Sequence, residues 1–420
     1  MDRQYLCIDL KSFYASVECV ERGLDPMTTL LAVCDLERTE KTITLAITPA
    51  MKALGVKNRC RVFEIPKSID FIAARPRMQL YIDYAAEIYG IYLSFVSKDD
   101  IHVYSIDEAF LDVTDYLQLY RMDARQLGNR IMQEIYEQLG IRATCGIGTN
   151  LFLAKIALDI TAKHAEDFIG ELTEESFVKT LWDHRPITDF WMIGPGTARR
   201  LERIGVYTMR GICETPEDTL YHMFGVNAEL LIDHAHGVEP TKISDIKNYK
   251  SKTNSITSGQ VLPEDYDYEH GRLIVKEMTD LMCLDLVAQD LVTSSVTLHI
   301  GYSNRLGMEP AHGSVKLDED TNSDLVIIPA VTALYDRIID RTSPMRRVSI
   351  SFNRIIPEEY VQLSMFTNAE ELAKNRKVQK AVIDIKNRFG KNAIVKGMNL
   401  EEGARTIERN SQIGGHRSGE

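Results

Sequence analysis

The chain has 420 residues, 44% apolar and 26% charged, which is the balance of a water-soluble globular protein too long for one ordinary core. No apolar run is long enough to cross a bilayer, and the start, MDRQYLCIDL, lacks the basic stretch and small-residue cleavage site of a signal peptide, so a cytoplasmic protein is expected. A net charge of −12 and a pI near 5.4 exclude a basic coat; any nucleic-acid binding requires the basic residues to be focused into a channel while the outside stays acidic.

Residues 5–10 alternate, with Tyr5, Cys7 and Asp9 on one side and Leu6, Ile8 and Leu10 on the other, which predicts a short strand ending at Asp9. Phe13, Val17, Val20 and Leu24 then recur at helical spacing up to Asp25-Pro26. Residues 28–77 hold TLLAVCD, TITLAIT and PAMKALGV and read as a small appended α/β module. The pattern then predicts a helix over 79–97, a strand over 101–106, a second over 109–113, a helix over 123–139 and a strand over 142–148. With the first strand this is β-α-β-β-α-β, the split ferredoxin-like unit, with 11–77 inserted after its first strand.

Residues 150–235 read as helical, broken by Gly and Pro, and GVEPTKISDIKNYKSKTNS as a polar linker. Over 255–355, the segments SSVTLHIGY, GSVKL, DLVIIPA and RRVSISFN alternate and two helical stretches lie between them, which gives a second α+β domain. The tail, 357–420, holds one helix and a Gly-rich end. The fold class expected is α+β and multidomain. Seven cysteines (Cys7, Cys19, Cys34, Cys60, Cys145, Cys213, Cys283) form no CxxC pair and are expected to be reduced; His234 and His236 lack a cysteine pair, so no zinc site is expected.

In a split sheet the first strand lies centrally, next to the third. Asp9 ends the first strand, and Asp107-Glu108 sits where the second turns into the third, so three carboxylates converge. Converging carboxylates repel unless a cation intervenes. Hard oxygen ligands suit Mg²⁺, with Mn²⁺ as a substitute, and two ions about 3.5–4 Å apart are the usual clamp for phosphoryl transfer. Taken alone, SIDEA favours an acidic hairpin turn over a metal site. Asp112 and Asp115 are given no role.

CIDLKSFYASVE (7–18), YSIDEAFLDVT (104–114) and GIGTNLFLAKIALD (146–159) resemble the three signature stretches of Y-family DNA polymerases, in the family's order and at its spacing. The resemblance is greatest to the UmuC-like branch of Gram-positive bacteria, labelled UvrX or ImpB/MucB/SamB. It implies a palm (1–10 and 78–165), fingers (11–77), a thumb with a helix-hairpin-helix (166–235), a linker (236–245), a DNA-binding little finger (246–356) and a tail (357–420). It implies error-prone translesion synthesis in DNA repair and the SOS response, with primer-template DNA, dNTPs and accessory SOS proteins as partners.

By the same resemblance, Asp9, Asp107 and Glu108 are metal ligands, joined by the Leu10 carbonyl. Tyr14, beside Phe13, is the steric gate against a ribose 2′-hydroxyl. Lys163 contacts the triphosphate, although TAK carries one residue more than in some relatives; Lys155 reads as a helix residue holding the palm. Pro49 and Lys52 stand where the family often has Tyr and Arg, which leaves Thr48 and Lys52 to grip the phosphates.

MIGPGTARRLERIG (192–205) looks like a helix-hairpin-helix whose Gly194 and Gly196 admit a phosphate, with Arg199, Arg200 and Arg203 beside it. In the second domain Ser295, Thr297, His299 and Gly301, and Arg347, Ser349, Ser351 and Asn353, share a polar sheet face; Arg346 and Arg347 are the cations expected to meet DNA. Gln362, Leu363, Met365 and Phe366 belong to QLSMF, which resembles the peptide by which bacterial polymerases grip the sliding clamp. Gly414-Gly415-His416 resembles the family's C-terminus, without a physical account. Two alternatives stay open: another palm-type enzyme such as a nucleotidyl cyclase, and a non-catalytic DNA- or clamp-binding scaffold.

Overall fold

A computed structural model describes residues 3–38, 41–251, 254–359 and 369–419, in two units that divide at Tyr249 and Lys250. In the first unit the alternating start forms β1 (Tyr5–Leu10), followed by α1 (Phe13–Val20). The inserted module is a three-stranded sheet of β2 (Leu31–Val33), β3 (Ala46–Ile47) and β4 (Ile72–Ala74), in the order β3-β2-β4. Its short helix α2 (Pro49–Ala53) opens on a proline, whose missing N–H is harmless in a first turn.

Next come α3 (Met78–Phe95), β5 (Ile101–Val103), β6 (Glu108–Asp112), α4 (Tyr116–Tyr120), α5 (Ala124–Leu139) and β7 (Ala143–Gly148). A reciprocal cap starts α5: the Asp123 carboxylate accepts from Gln126 N at 2.7 Å, and the Gln126 side chain accepts from Asp123 N at 3.0 Å. Beyond β7 lie α6 (Leu151–Ile156), a π-helical turn over Ala157–Thr161, and β8 (Ile169–Leu172).

The main sheet runs β5-β6-β1-β7-β8, with β1 antiparallel to both neighbours and β8 parallel to β7. Its first four strands are the split arrangement. The fifth corrects the helical reading of 150–235. Gly146, Gly148 and Gly170 strip one side of β7 and β8, and α6 with its π turn lies directly on them. A Cβ at Gly146 would fall 2.1 Å from Ala154 O, and one at Gly170 2.4 Å from Ala157 O. Tyr5, Cys7 and Phe110 pack beneath Leu151, Ala154 and Leu158 on that same side.

Five helices follow: α7 (Glu174–Leu181), α8 (Pro195–Glu202), α9 (Met209–Cys213), α10 (Glu217–Phe224) and α11 (Asn227–Ala235). They share a core with Phe152, Phe177, Phe190, Leu201 and Leu220. Within the stretch read as a linker, residues 243–248 are helical instead. They form α12 (Ile243–Asn248), because Ile243 is buried with Tyr5 and Phe110 and Ile246 packs beside it. His234 is stacked between Phe152 and Trp191 and bonds Glu239 at 2.9 Å, a packed imidazole with its polar partner. All seven cysteines are free thiols.

The second unit contains β9 (Ser255–Tyr266), α13 (Tyr268–Ala288), β10 (Leu291–Tyr302), β11 (Ala311–Thr321), α14 (Asp324–Ile338), β12 (Met345–Asn353) and β13 (Ile356–Pro357). Its antiparallel sheet runs β11-β10-β12-β9. Val296, Leu298, Ile300, Val348, Ile350 and Phe352 join the core formed with Ile274, Met278, Ile327 and Val331 from α13 and α14. DLVIIPA is helical, which corrects the strand reading: its β-branched run is strand-like in composition, but Ile327, Val331, Leu334 and Tyr335 bury at helical spacing. Strand β9 was not anticipated; as an edge strand it buries only Leu262 and Tyr266.

The tail holds α15 (Ala369–Phe389) and α16 (Thr406–Asn410). It docks on α13 through Glu277, which is buried and accepts from Asn399 Nδ2 at 2.8 Å and from the backbone N–H groups of Arg405 (2.8 Å) and Thr406 (3.2 Å). The peptide of Gln362, Leu363, Met365 and Phe366 lies outside the described residues.

Candidate active site

Asp9 and Glu108 are direct partners across β1 and β6. Leu10 N donates to Asp107 O at 2.9 Å, so 10 and 107 form the hydrogen-bonded pair and 9 and 108 the closer, non-hydrogen-bonded one, roughly 4.5 Å apart at Cα. Directly opposed residues share a face of the sheet. Asp9 and the Asp107-Glu108 pair, far apart in sequence, are therefore adjacent at one end of the central strand. Burial, then the negative charges of Asp107 and Glu108, push the Asp9 carboxyl up to about 7, against the opposing pull of Lys155 and Lys163.

The side chains have protein partners. Glu108 is buried; it accepts from Lys155 Nζ at 2.8 Å and from the Cys7 thiol at 3.2 Å, while Asp107 accepts from Ser105 Oγ at 2.6 Å. Among the described residues no three His, Cys, Asp or Glu side chains enclose an ion-sized space. The donor set nevertheless suits a hard divalent cation: three carboxylates, one of them driven toward protonation by burial and by its acidic neighbours, with the Leu10 carbonyl at the strand end.

A row of cations faces these acids. Lys155 bridges Glu108 and Asp159 (3.0 Å), and Asp159 also pairs with Lys163 at 3.4 Å. The π turn over Ala157–Thr161 lies between the two lysines. Lys163 stands within electrostatic reach of Asp9. Lys52 is exposed to solvent and stands in the field of Asp9, Lys163 and Asp107; partial desolvation by its neighbours lowers its hold on its proton. Lys11 joins this set, its ammonium 3.8 Å from the Phe168 ring centre and in the field of Lys52 and Asp9. The sequence reading missed Lys11, although its parity with Asp9 along the strand was the available signal.

The expected nucleotide residues separate into two groups. Tyr14 is partly exposed, stacked on Tyr81 with ring centres 4.5 Å apart, and lies in the field of Asp107. Phe13 is only 2% exposed and belongs to the core, which removes it from the contact set. Thr48 is fully buried and its hydroxyl accepts from Leu31 N at 3.2 Å, so it serves the three-stranded sheet and cannot grip a phosphate.

Gly194 caps α8 and Gly196 lies in its first turn. Neither has a left-handed φ, and a Cβ at either would meet no atom within 4 Å, so packing within the chain does not call for glycine there. Arg199, Arg200 and Arg203 are exposed, with Arg200 over the Phe224 ring at 4.3 Å. In the second unit Thr297 meets Ser314 at 2.8 Å and Thr257 meets Ser351 at 2.8 Å, forming a sheet face of paired hydroxyls. Arg347 is exposed opposite Gly301, whereas Arg346, at the register shift, pairs with Asp265 at 3.6 Å.

Comparison with known proteins identifies the class. The impB/mucB/samB family matches residues 8–159 and that family's C-terminal domain residues 253–365. The Y-family DNA polymerase chimera Dbh-Dpo4(243-245)-Dbh has the same fold, with a TM-score of 0.66, 21% identity, and coverage of 84% of this chain and 99% of its own. The putative UV-damage repair protein UvrX of Bacillus subtilis (strain 168) is 30% identical over 99% of this chain and 98% of its own length. DNA polymerase IV 2 of the same organism is 30% identical over 97% of each. The chain belongs to the impB/mucB/samB family, the UmuC-like branch of the Y-family DNA polymerases.

Proposed function

We propose that the chain is a template-directed DNA polymerase that adds dNMPs to a primer 3′-hydroxyl and continues past damaged template in DNA repair, acting in the cytoplasm as part of the SOS response. The observation that carries this reading is the pairing of Asp9 with Glu108 beside Asp107, opposite Lys52 and Lys163. Asp9, Asp107, Glu108 and the Leu10 carbonyl would hold two Mg²⁺ ions. When bound, these ions would lower the pKa of the attacking hydroxyl and neutralise the triphosphate.

The chain's own residues supply the rest. Lys163, Lys52 and Lys11 offer positive charge to the triphosphate, and Tyr14 provides the wall against a 2′-hydroxyl. The five-stranded sheet serves as palm, the three-stranded module as fingers and the helices from α7 to α11 as thumb. In the thumb, Gly194, Gly196, Arg199 and Arg200 meet the DNA backbone. The second unit, as little finger, meets it through hydroxyls and Arg347. Gln362, Leu363, Met365 and Phe366 dock in the sliding clamp.

Primer extension with Mg²⁺, comparing wild type with Asp107→Ala, with and without a template, tests this directly. Extension that follows the template and is lost in Asp107→Ala is expected. Nucleotide turnover without template would favour a cyclase-like enzyme. DNA binding with no extension by the wild type would favour a scaffold.

A further inference from the structure

Glu18 ends the first signature stretch and lies one helical turn beyond Tyr14 on α1, completely buried. A buried carboxylate is expensive unless it is fully paired. Here the Tyr81 hydroxyl donates to it at 2.7 Å, and Arg77 donates through Nε at 3.0 Å and Nη2 at 2.8 Å, with Arg22 as a further partner. Arg77 and Tyr81 are one turn apart at the start of α3, so this single carboxylate ties α1 to α3. The ring it secures is the one that backs Tyr14: Tyr81 has no exposed surface and lies 16° from parallel with Tyr14.

We propose that Glu18, held by Arg77, is a positioning residue for sugar selection, fixing Tyr81 so that the Tyr14 ring cannot retreat from an incoming nucleotide's 2′ position. This rests on the reading of Tyr14 as the gate. A filter that works by shape alone discriminates only as well as its wall resists displacement, and removing one methylene-sized increment of room is worth roughly 10–200-fold in selectivity. Stacking sets the distance between the two rings. The phenol–carboxylate bond prevents Tyr81 from sliding or tilting away, and the bidentate Arg77 keeps the carboxylate itself in place.

Single-nucleotide insertion kinetics with matched dNTP and rNTP, with kcat and KM measured separately, test the proposal in wild type, Tyr14→Ala, Glu18→Gln and Tyr81→Phe. The ratio of kcat/KM for dNTP over rNTP is expected to fall in all three variants, most in Tyr14→Ala and about tenfold in the other two, mainly through a lower KM for the ribonucleotide. A purely structural Glu18 would depress both substrates together and leave the ratio unchanged. That result in both Tyr81→Phe and Glu18→Gln, with Tyr14→Ala still altered, overturns the proposal and spares the gate. An unchanged ratio in Tyr14→Ala overturns both. Should Glu18→Gln fail to fold, Tyr81→Phe, which removes one hydroxyl and retains the ring, decides alone.

Discussion

Lys155 keeps a positive charge where solvent scarcely reaches, its side chain 9% exposed between Glu108 and Asp159. Burial alone would strip its proton, yet the carboxylates of Asp159 and Glu108 hold it above the ordinary lysine range. A lysine raised in this way contributes stability that is fully present below about pH 10.5 and is lost as pH rises through its folded value. Lys155→Met is expected to destabilise the protein by about 3 kcal/mol at pH 7.5, because it leaves a buried carboxylate unpaired. Urea unfolding measures this, and a variant as stable as wild type would show that the pair contributes little. The three acids were legible from strand parity and turn position. The Lys155–Glu108 pair was not, because nothing in the 47 positions separating them encodes which face of α6 meets the sheet.

The helix carrying Lys155 owes its position to glycine. Gly146, Gly148 and Gly170 let α6 and its π turn rest on the strands, so the lysines reach across to β1 and β6. Gly146→Ala would force a Cβ to within 2.1 Å of Ala154 O, a backbone atom with nowhere to move, and is expected to cost about 3 kcal/mol and to lower activity with it. Thermal unfolding checks this; an unshifted melting temperature would mean that the helix gives way freely. At this scale, elements with a strong period were readable: α3, α5, β1 and β7 fall within a few residues of expectation. Those governed by their neighbours were not. Strand β8 needs the glycine floor, β9 buries too little to show a period, and α14 carries a proline and a β-branched run that tertiary packing overrides.

Across the whole chain, a net charge of −12 is reconciled with nucleic acid by where the cations stand: Lys11, Lys52 and Lys163 around the acids, and Arg199 and Arg200 on one short helix with Arg203 at its end. The second unit's sheet offers mostly hydroxyls, so its share of DNA affinity should depend little on salt. Weak electrostatic retention makes a tether useful, and deleting residues 362–366 is expected to abolish stimulation by the sliding clamp in primer extension while sparing clamp-free synthesis. Equal stimulation of the deleted protein would remove that assignment. The central claim concerns the carboxylates, and Mn²⁺ binding followed by electron paramagnetic resonance tests it most directly, on protein with primer-template DNA and a non-hydrolysable dNTP. Two bound ions per chain are expected, with affinity reduced about tenfold or more by Asp9→Asn. Unchanged Mn²⁺ binding in Asp9→Asn would contradict the account.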